Sequence, residues 1–187
     1  MIWNRLDSRK ITVVDLETTG FSPTENEIIE VAVVDVAQGQ IVNEWSTLIK
    51  PRKPVPLEVT RIHGITNDML MLAPRKGRVL PTLREKLSGS FLIEHNQNYF
   101  DSAFIKAFIG EEIWEREINT LHMARQIISK LEHYDLKTLC SHCSISLESH
   151  HSALDDAIAT ANLFIYLINE AEKEKRYSDY VNSVFGL

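Results

Sequence analysis

The first half of the chain consists mainly of apolar runs separated by turn residues, a pattern typical of β-strands. The run Ile11–Val14 is rich in β-branched residues, which predicts a buried central strand. Segments 27–36 and 41–49 predict two further strands, and the turn at 37–40 between them predicts an antiparallel three-strand meander. A short apolar run at 91–94 predicts one more buried strand.

Later segments show the three- to four-residue apolar spacing that is typical of helices. Pro51, Pro54 and Pro56 predict a loop after the third strand. The residues after about 175 lose the helical spacing, so we expect them either to fray or to dock. The whole pattern predicts an α/β fold with a mixed sheet flanked by helices, in which sites gather where strands end. The predicted helices cover residues 66–72 (with Thr66 as N-cap), 79–87, 101–109, 121–128, 136–143 and 152 to about 175.

Length and composition indicate one ordinary globular domain. With 187 residues, 44% of them hydrophobic and 25% charged, the chain can bury a full core. We predict a single domain over residues 1–187, with its core at about 10–170 and an uncertain tail at about 176–187. The first ten residues show no signal peptide, and no apolar run reaches the length of a membrane span. Two cysteines make no disulfide framework, so we expect a cytoplasmic protein without a membrane partner.

Charge is distributed unevenly along the chain. Its net charge of −6 argues against non-specific coating of nucleic acid. Residues 50–78, however, contain seven basic and two acidic residues, a local net charge of +5 against −11 elsewhere. Such a basic segment could steer a polyanionic substrate toward bound cations, or it could be an ordinary solvated loop.

Two carboxylates, Asp15 and Glu17, close the predicted central strand. Side chains alternate along a strand, so both point to one face while Leu16 points to the other. Carboxylates so placed repel each other unless a cation lies between them, and Mg²⁺ prefers oxygen ligands. The alternative is a strand that simply runs out into solvent at Asp15.

Two further polar clusters precede predicted helices. Residues 95–101 place a histidine and three amides before Asp101, which could alternatively be only a first-turn acid of its helix. Residues 151–157 place His151, a candidate general base, before Asp155 and Asp156. The two aspartates are about 100° apart around a helix, so both can hardly face one site. They could alternatively serve only to stabilise the helix N-terminus.

Cys140 and Cys143, with a histidine between them, have the spacing of a zinc site. The same cysteines also belong to the apolar stripe of a predicted helix. A structural zinc site needs four ligands of good geometry, whereas buried cysteine behaves as a small hydrophobe. The helix interpretation is favoured.

Four motifs in this order resemble the DEDDh family of 3′→5′ exonucleases over about residues 10–170. They are 15–20 (Asp-Leu-Glu-Thr-Thr-Gly), 63–66 (His-Gly-Ile-Thr), 96–101 and 151–157. Within the family, the chain is similar to the exonuclease module of the epsilon proofreading subunit of bacterial DNA polymerase III. The resemblance implies a ribonuclease H-like fold and two Mg²⁺ or Mn²⁺ ions per site.

The resemblance also implies the roles of individual residues. Asp15, Glu17, Asp101 and Asp156 would be the metal ligands, and Glu17 would also act in catalysis beside the terminal sugar. His151 would be the catalytic general base. The second motif of this sequence differs from the family pattern, which is commonly His-Asn-x-x-Phe-Asp. Here Asn96 begins the segment of that length, and His95 lies one place too early. The predicted substrate-binding residues are Leu16, Thr18, His63, Gly64, Ile65, Asn96 and Phe100.

The implied reaction is hydrolysis that releases nucleoside 5′-monophosphates from single-stranded or frayed DNA 3′ ends. A polymerase catalytic subunit is an implied partner, with proofreading as the setting. The alternatives are an exoribonuclease of the oligoribonuclease or ribonuclease T type and an inactive nucleic-acid-binding or polymerase-docking module. The last is disfavoured because all five motif positions hold competent residues.

Overall fold

The computed structural model describes residues 1–147 and 152–187 and shows a five-stranded mixed sheet flanked by helices. The strands stand in the order β3-β2-β1-β4-β5. This confirms the predicted α/β class. In the described residues the strands are β1 (Ile11–Thr18), β2 (Ile28–Ala37), β3 (Gln40–Leu48), β4 (Phe91–Glu94) and β5 (Arg116–Asn119). The helices are α1 (Ile2–Leu6), α2 (Leu57–His63), α3 (Lys76–Leu87), α4 (Phe100–Ile109), α5 (Thr120–Ile127), α6 (Leu136–Cys143), α7 (Ala153–Ala171) and α8 (Lys175–Phe185).

Strand β1 occupies the centre of the sheet. It pairs antiparallel with β2 and parallel with β4, and β4 pairs parallel with β5. Strands β2 and β3 form the predicted hairpin, closed by Gln38 and Gly39, which both have positive φ. Positive φ at both turn residues matches the twist of the flanking strands.

The two faces of the sheet are covered by different helices because side chains alternate along each strand. On one face, Val13 lies in a large core with residues of α1, α5, α6, α7 and α8. On the other face, Val14 and Leu16 pack with residues of α3 and α4. The acids that close β1 therefore lie on the face covered by α7.

The structure corrects several predicted elements. Residues 66–72 form turns rather than a helix, although Thr66 Oγ1 does accept the Met69 N–H at 3.3 Å. The proline-rich loop is followed directly by α2, which the sequence analysis missed together with α1 and β5. The long C-terminal helix ends at Ala171, and the tail docks as α8 with Val181 and Phe185 buried.

None of the helices in residues 1–147 and 152–187 is long and apolar enough to cross a membrane.

Candidate active site

Three carboxylates converge where β1 meets the start of α7. Oxygen atoms of Asp15, Glu17 and Asp156 all lie within 4.8 Å of one another. Asp15 and Glu17 share a face of β1 because they are two residues apart, and Asp156 reaches the same point from the first turn of α7. Glu30 lies opposite Glu17 in the β1–β2 register and accepts the Ala153 N–H at the start of α7 at 3.2 Å. That hydrogen bond joins β2 to the helix that carries Asp156.

The cluster carries more negative charge than its surroundings neutralise. Burial, followed by repulsion from Asp101 and Asp156, raises the pKa of Asp15 well above its ordinary value. Burial and repulsion from Asp156 and Glu30 raise the pKa of Glu17 to about 8. Oxygen ligands at this spacing, with their proton affinities raised by mutual repulsion, fit hard divalent cations such as Mg²⁺ or Mn²⁺.

Asp101 completes the acidic site from the first turn of α4. Its side chain is buried, and burial raises its pKa to about 7. Asn96 opposes this shift, because its Nδ2 donates a hydrogen bond to Asp101 Oδ2 at 2.9 Å. Of the repulsive effects on Asp15, that of Asp101 is the largest. The four predicted metal ligands thus interact within one site.

The departure in the second motif has a local structural solution. Asn96 Oδ1 accepts the N–H groups of Asn98 at 3.2 Å and Phe100 at 2.9 Å, and Tyr99, which precedes α4, lies in the left-handed region at φ 53. His95 instead hydrogen-bonds with Thr120 Oγ1 at 2.8 Å and with the Tyr134 carbonyl at 3.1 Å. Asn96, rather than His95, therefore holds Asp101.

Glu94 is a buried acid of the site that the sequence analysis missed. It closes β4 and accepts hydrogen bonds from Asn96 Nδ2 at 2.7 Å and from the N–H groups of Asp101 at 3.1 Å and Ser102 at 3.2 Å. Ser102 Oγ adds a fourth donor at 3.2 Å. Burial, then repulsion from Asp101, raises the pKa of Glu94 to about 8. The available signal was an acid ending an otherwise apolar strand just before a helix whose first N–H groups need acceptors.

A cleft of about 520 Å³ opens beside the acidic cluster. Asp15 and Asp156 form one side of it, and the segment 132–137 forms another. Arg125 and Lys137 also line the cleft, together with the acids Glu132 and Asp135. A cleft of this size is large enough for a nucleotide.

The predicted substrate-binding residues have varied environments. Leu16 is buried in the core on the opposite face from the acids, and Thr18 is buried with its hydroxyl donating to the Gly20 carbonyl at 2.7 Å. His63 is buried, and its Nδ1 accepts the Ile65 N–H at 3.0 Å. Ile65 is also buried, and Gly64, with φ 74, ends α2 between these two residues. Contact with substrate stays a prediction for all of them.

Two further predictions concern His151 and the cysteine pair of α6. His151 lies outside the described residues, so its role as general base stays a prediction. Cys140 is buried in α6 and belongs to the helix that packs on α7. Among residues 1–147 and 152–187, the one group of acids, cysteines or histidines spaced to hold a metal is Asp15, Glu17 and Asp156.

The raised pKa values make any metal stabilisation depend on pH. Protons and cations compete for Asp15, Glu17 and Asp101, so a cation binds more tightly once these groups lose their protons. We expect the rise in Tm caused by Mg²⁺ to grow between about pH 6 and 9, as the pH passes the folded-state pKa values. Thermal melts with Mg²⁺ and with EDTA across this range would measure the effect. A shift that stays constant with pH would contradict it.

Comparisons with known proteins are consistent with this arrangement. A family model described as Exonuclease, RNase_T, matches residues 12–164. The chain belongs to this exonuclease family. It is a hydrolase of the DEDDh 3′→5′ exonuclease type, and the resemblance predicted from the motifs is confirmed.

Two relatives and one solved structure show how far the similarity extends. The DNA polymerase III epsilon subunit of Aquifex aeolicus is 32% identical over 180 residues, which cover 95% of this chain and 89% of that protein. A PolC-type DNA polymerase III of Clostridium perfringens is 35% identical over 170 residues, 89% of this chain. The chain spans about 12% of the length of the PolC-type relatives. The structure of exonuclease X in complex with 5′ overhanging duplex DNA covers 85% of this exonuclease at 28% identity, with a TM-score of 0.70 and 91% of its own chain matched.

Proposed function

We propose that this exonuclease removes nucleotides from the 3′ end of single-stranded or frayed DNA in a reaction that depends on two divalent metal ions. The observation that carries the proposal is the cluster of Asp15, Glu17, Asp101 and Asp156, in which burial and repulsion raise the pKa of Asp15 and Glu17, and burial raises that of Asp101. A bound cation would relieve this repulsion. These four residues would hold Mg²⁺ or Mn²⁺. Bound ions of this kind stabilise the attacking and leaving oxygens of a phosphodiester hydrolysis.

Other residues of the chain would have separate roles in the reaction. His151 would accept a proton from the water whose oxygen attacks the terminal phosphorus. The bond from that phosphorus to the 3′ oxygen of the preceding nucleotide breaks, so the released nucleotide keeps its 5′-phosphate. Glu17 and the Thr18 segment would hold the terminal sugar, and the loop of His63, Gly64 and Ile65 would contact the terminal nucleotide.

Phe100 has one side packed against the core and another that is exposed. It is half-buried, and its ring centroid is 4.7 Å from that of Phe104. The inner side of the ring therefore packs against the core. We propose that its remaining exposed part contacts the last bases, because stacking on an aromatic ring tolerates any base sequence.

DNA is favoured over RNA as the substrate by the relatives. They are named as components of DNA polymerase III, and the exonuclease X structure contains duplex DNA with a 5′ overhang, and so a recessed 3′ end. A polymerase catalytic subunit is the partner that these names suggest, with proofreading in the cytoplasm as the setting. An exoribonuclease remains the alternative within the same fold, because the 2′-OH alone distinguishes the two substrates.

One assay tests the proposal. Initial rates on single-stranded DNA, recessed duplex DNA and RNA of equal length would be measured with Mg²⁺, Mn²⁺ or EDTA. We expect single-stranded DNA to be cleaved fastest, because a paired end must first unpair at a cost of a few kcal/mol. We also expect no cleavage in EDTA. Faster cleavage of short RNA would support the exoribonuclease alternative, and cleavage in EDTA would contradict the metal mechanism.

Two substitutions test the third motif. We expect His151→Ala to lower the rate by about 10² or more while leaving substrate affinity nearly unchanged, because a general base acts on the chemical step. Asp155→Ala, the control on the adjacent side of α7, should stay near the wild-type rate. Single-turnover rates and binding measured separately would distinguish the two effects. A large loss in Asp155→Ala with little in Asp156→Ala would show that the motif is displaced by one residue.

A further inference from the structure

A second cleft, of about 570 Å³, lies on the other face of the sheet from the acidic cluster. Four cationic residues, Lys50, Arg52, Arg75 and Lys76, line it, with Glu27 as the single acidic lining residue. The chain as a whole has a net charge of −6, so the cleft is a local concentration of positive charge on an acidic protein. The other three basic residues of segment 50–78, which are Lys53, Arg61 and Arg78, do not line the cleft.

Backbone hydrogen bonds hold two of the cations next to each other. Lys50 and Arg75 form an isolated parallel β-bridge, and the Lys50 N–H donates to the Pro74 carbonyl at 2.9 Å. Arg75 then begins α3 as its N-cap residue. The backbone positions of Lys50 and Arg75 are therefore fixed relative to each other.

Most of the positive charge in the cleft is not neutralised by ion pairs. Arg52 pairs with Glu27, with 3.0 Å between Nε and Oε1. Lys50 Nζ donates to the neutral Met71 carbonyl at 2.8 Å, and Lys76 Nζ lies 4.8 Å from the centroid of the Phe108 ring. In the described part of the chain, neither Lys50, Arg75 nor Lys76 forms an ion pair. The positive charge of these three residues is therefore available to attract an anionic ligand.

Two lining residues of the cleft lie next to residues at the edge of the active site. Its lining residue Ile28 pairs with Thr18 in the β1–β2 register. Its lining residue Phe104 contacts Phe100, which precedes Asp101. From Asp101 to Phe108, α4 rises by about 10 Å, at about 1.5 Å per residue. That distance matches about three stacked nucleotides at about 3.4 Å each.

We propose that this basic cleft binds the phosphodiester backbone of the substrate strand, about three nucleotides or more upstream of the 3′ end. The inference rests on the proposed function, since it assumes that a strand end lies at the acidic cluster. Lys50, Arg75 and Lys76 contact phosphates, which carry no sequence information, so binding there is independent of sequence. The positive charge of the cleft attracts the DNA strand, whereas the net negative charge of the rest of the protein repels it.

The test compares two double variants that lose the same charge. Arg75→Gln/Lys76→Gln removes two cations of the cleft, and Arg5→Gln/Lys175→Gln removes two exposed cations of α1 and α8 that lie outside it. Affinity for a labelled single-stranded DNA 12-mer is measured in EDTA by fluorescence anisotropy, over a range of salt concentrations. Binding in EDTA does not depend on catalysis, so the result is separate from the test of the proposed function.

For the cleft variant, we expect the salt slope to fall by about 0.7 per lost phosphate contact. At 0.1 M salt, this corresponds to about 5-fold weaker binding per contact and about 25-fold for two contacts. We expect the Arg5→Gln/Lys175→Gln control to bind nearly as well as wild type. Equal losses in both variants would overturn the proposal, because they would show that only the net charge of the protein matters. An unchanged salt slope in the cleft variant would also overturn it.

Substrate length provides a second readout. With metal present, KM for a dinucleotide should be equal in wild type and in the cleft variant, because a dinucleotide at the acidic cluster does not reach the cleft. KM for the 12-mer should rise only in the cleft variant, with kcat retained. A matching rise in KM for the dinucleotide would contradict an upstream site.

Discussion

Asp15→Asn is expected to abolish most activity while making the metal-free protein more stable. Asp15 is the acid on which burial, Asp101, Asp156, Glu17 and Glu30 all act in the same direction. Removing its charge removes part of what would hold a cation, and loss of several kcal/mol of transition-state stabilisation corresponds to about 10³-fold or more in rate. Asparagine has nearly the same size, so the packing around β1 should persist.

The gain in stability follows from the same electrostatics. An acid whose pKa is raised in the folded state stabilises the fold only while it is protonated, and this contribution is lost as the pH rises through the folded-state pKa. Above neutral pH, Asp15→Asn should therefore have a higher Tm in EDTA than the wild type, and this difference should shrink when Mg²⁺ is added. Asp155→Asn serves as the control in α7. A variant with wild-type activity, or with a lower Tm in EDTA, would contradict the role assigned to Asp15.

Glu94→Ala is expected to cost both stability and activity. The substitution leaves the amide of Asn96 and the backbone N–H groups of Asp101 and Ser102 without their acceptor. Lost hydrogen bonds and a lost helix cap together destabilise the fold by about 3 kcal/mol, a fall in Tm of about 6–12 °C for a chain of this size. Because Asn96 in turn holds Asp101, activity at a temperature where the variant is folded should fall by about 10- to 100-fold.

Glu94→Gln is the matched control for this position. Glutamine keeps an acceptor oxygen for the donors of α4 and, like a protonated glutamate, presents a donor to its neighbours. We therefore expect it to recover most of the stability and activity lost in the alanine variant. Thermal melts and initial rates on the same DNA substrate would measure both effects. An alanine variant that matches wild type in both would show that Glu94 does not support the site.

Some features of the site follow from local sequence because their physical cause is local. A period of two along β1 places Asp15 and Glu17 on one face wherever the strand lies. The apolar run before them predicts a central strand, which the pairing of β1 with both β2 and β4 bears out. The motif spacing predicted the family, which the match over residues 12–164 confirms.

Elements were missed where the local signal was short or had two interpretations. Strand β5 is as short as β4, but it begins with two charged residues and lacks the apolar run that predicted β4. The tail carries Tyr177, Val181 and Phe185 at four-residue spacing, a helical signal that the sequence analysis overlooked. Thr66 provides a hydrogen bond that resembles a helix cap, but the residues after it form turns.

The sequence by itself predicted the four acids of the site from their motifs, and it carried the alternation that builds a mixed sheet. Only the tertiary structure decided which further groups surround those acids. Glu30 and Glu94 belong to the site because strand pairing and helix docking bring them there, across separations in sequence that no local period encodes. The same holds for the basic cleft, whose cations come from the segment that follows β3 and from the start of α3. Burial and charge repulsion depend on distances in space, so the raised pKa values of the acidic cluster exist only in the folded chain.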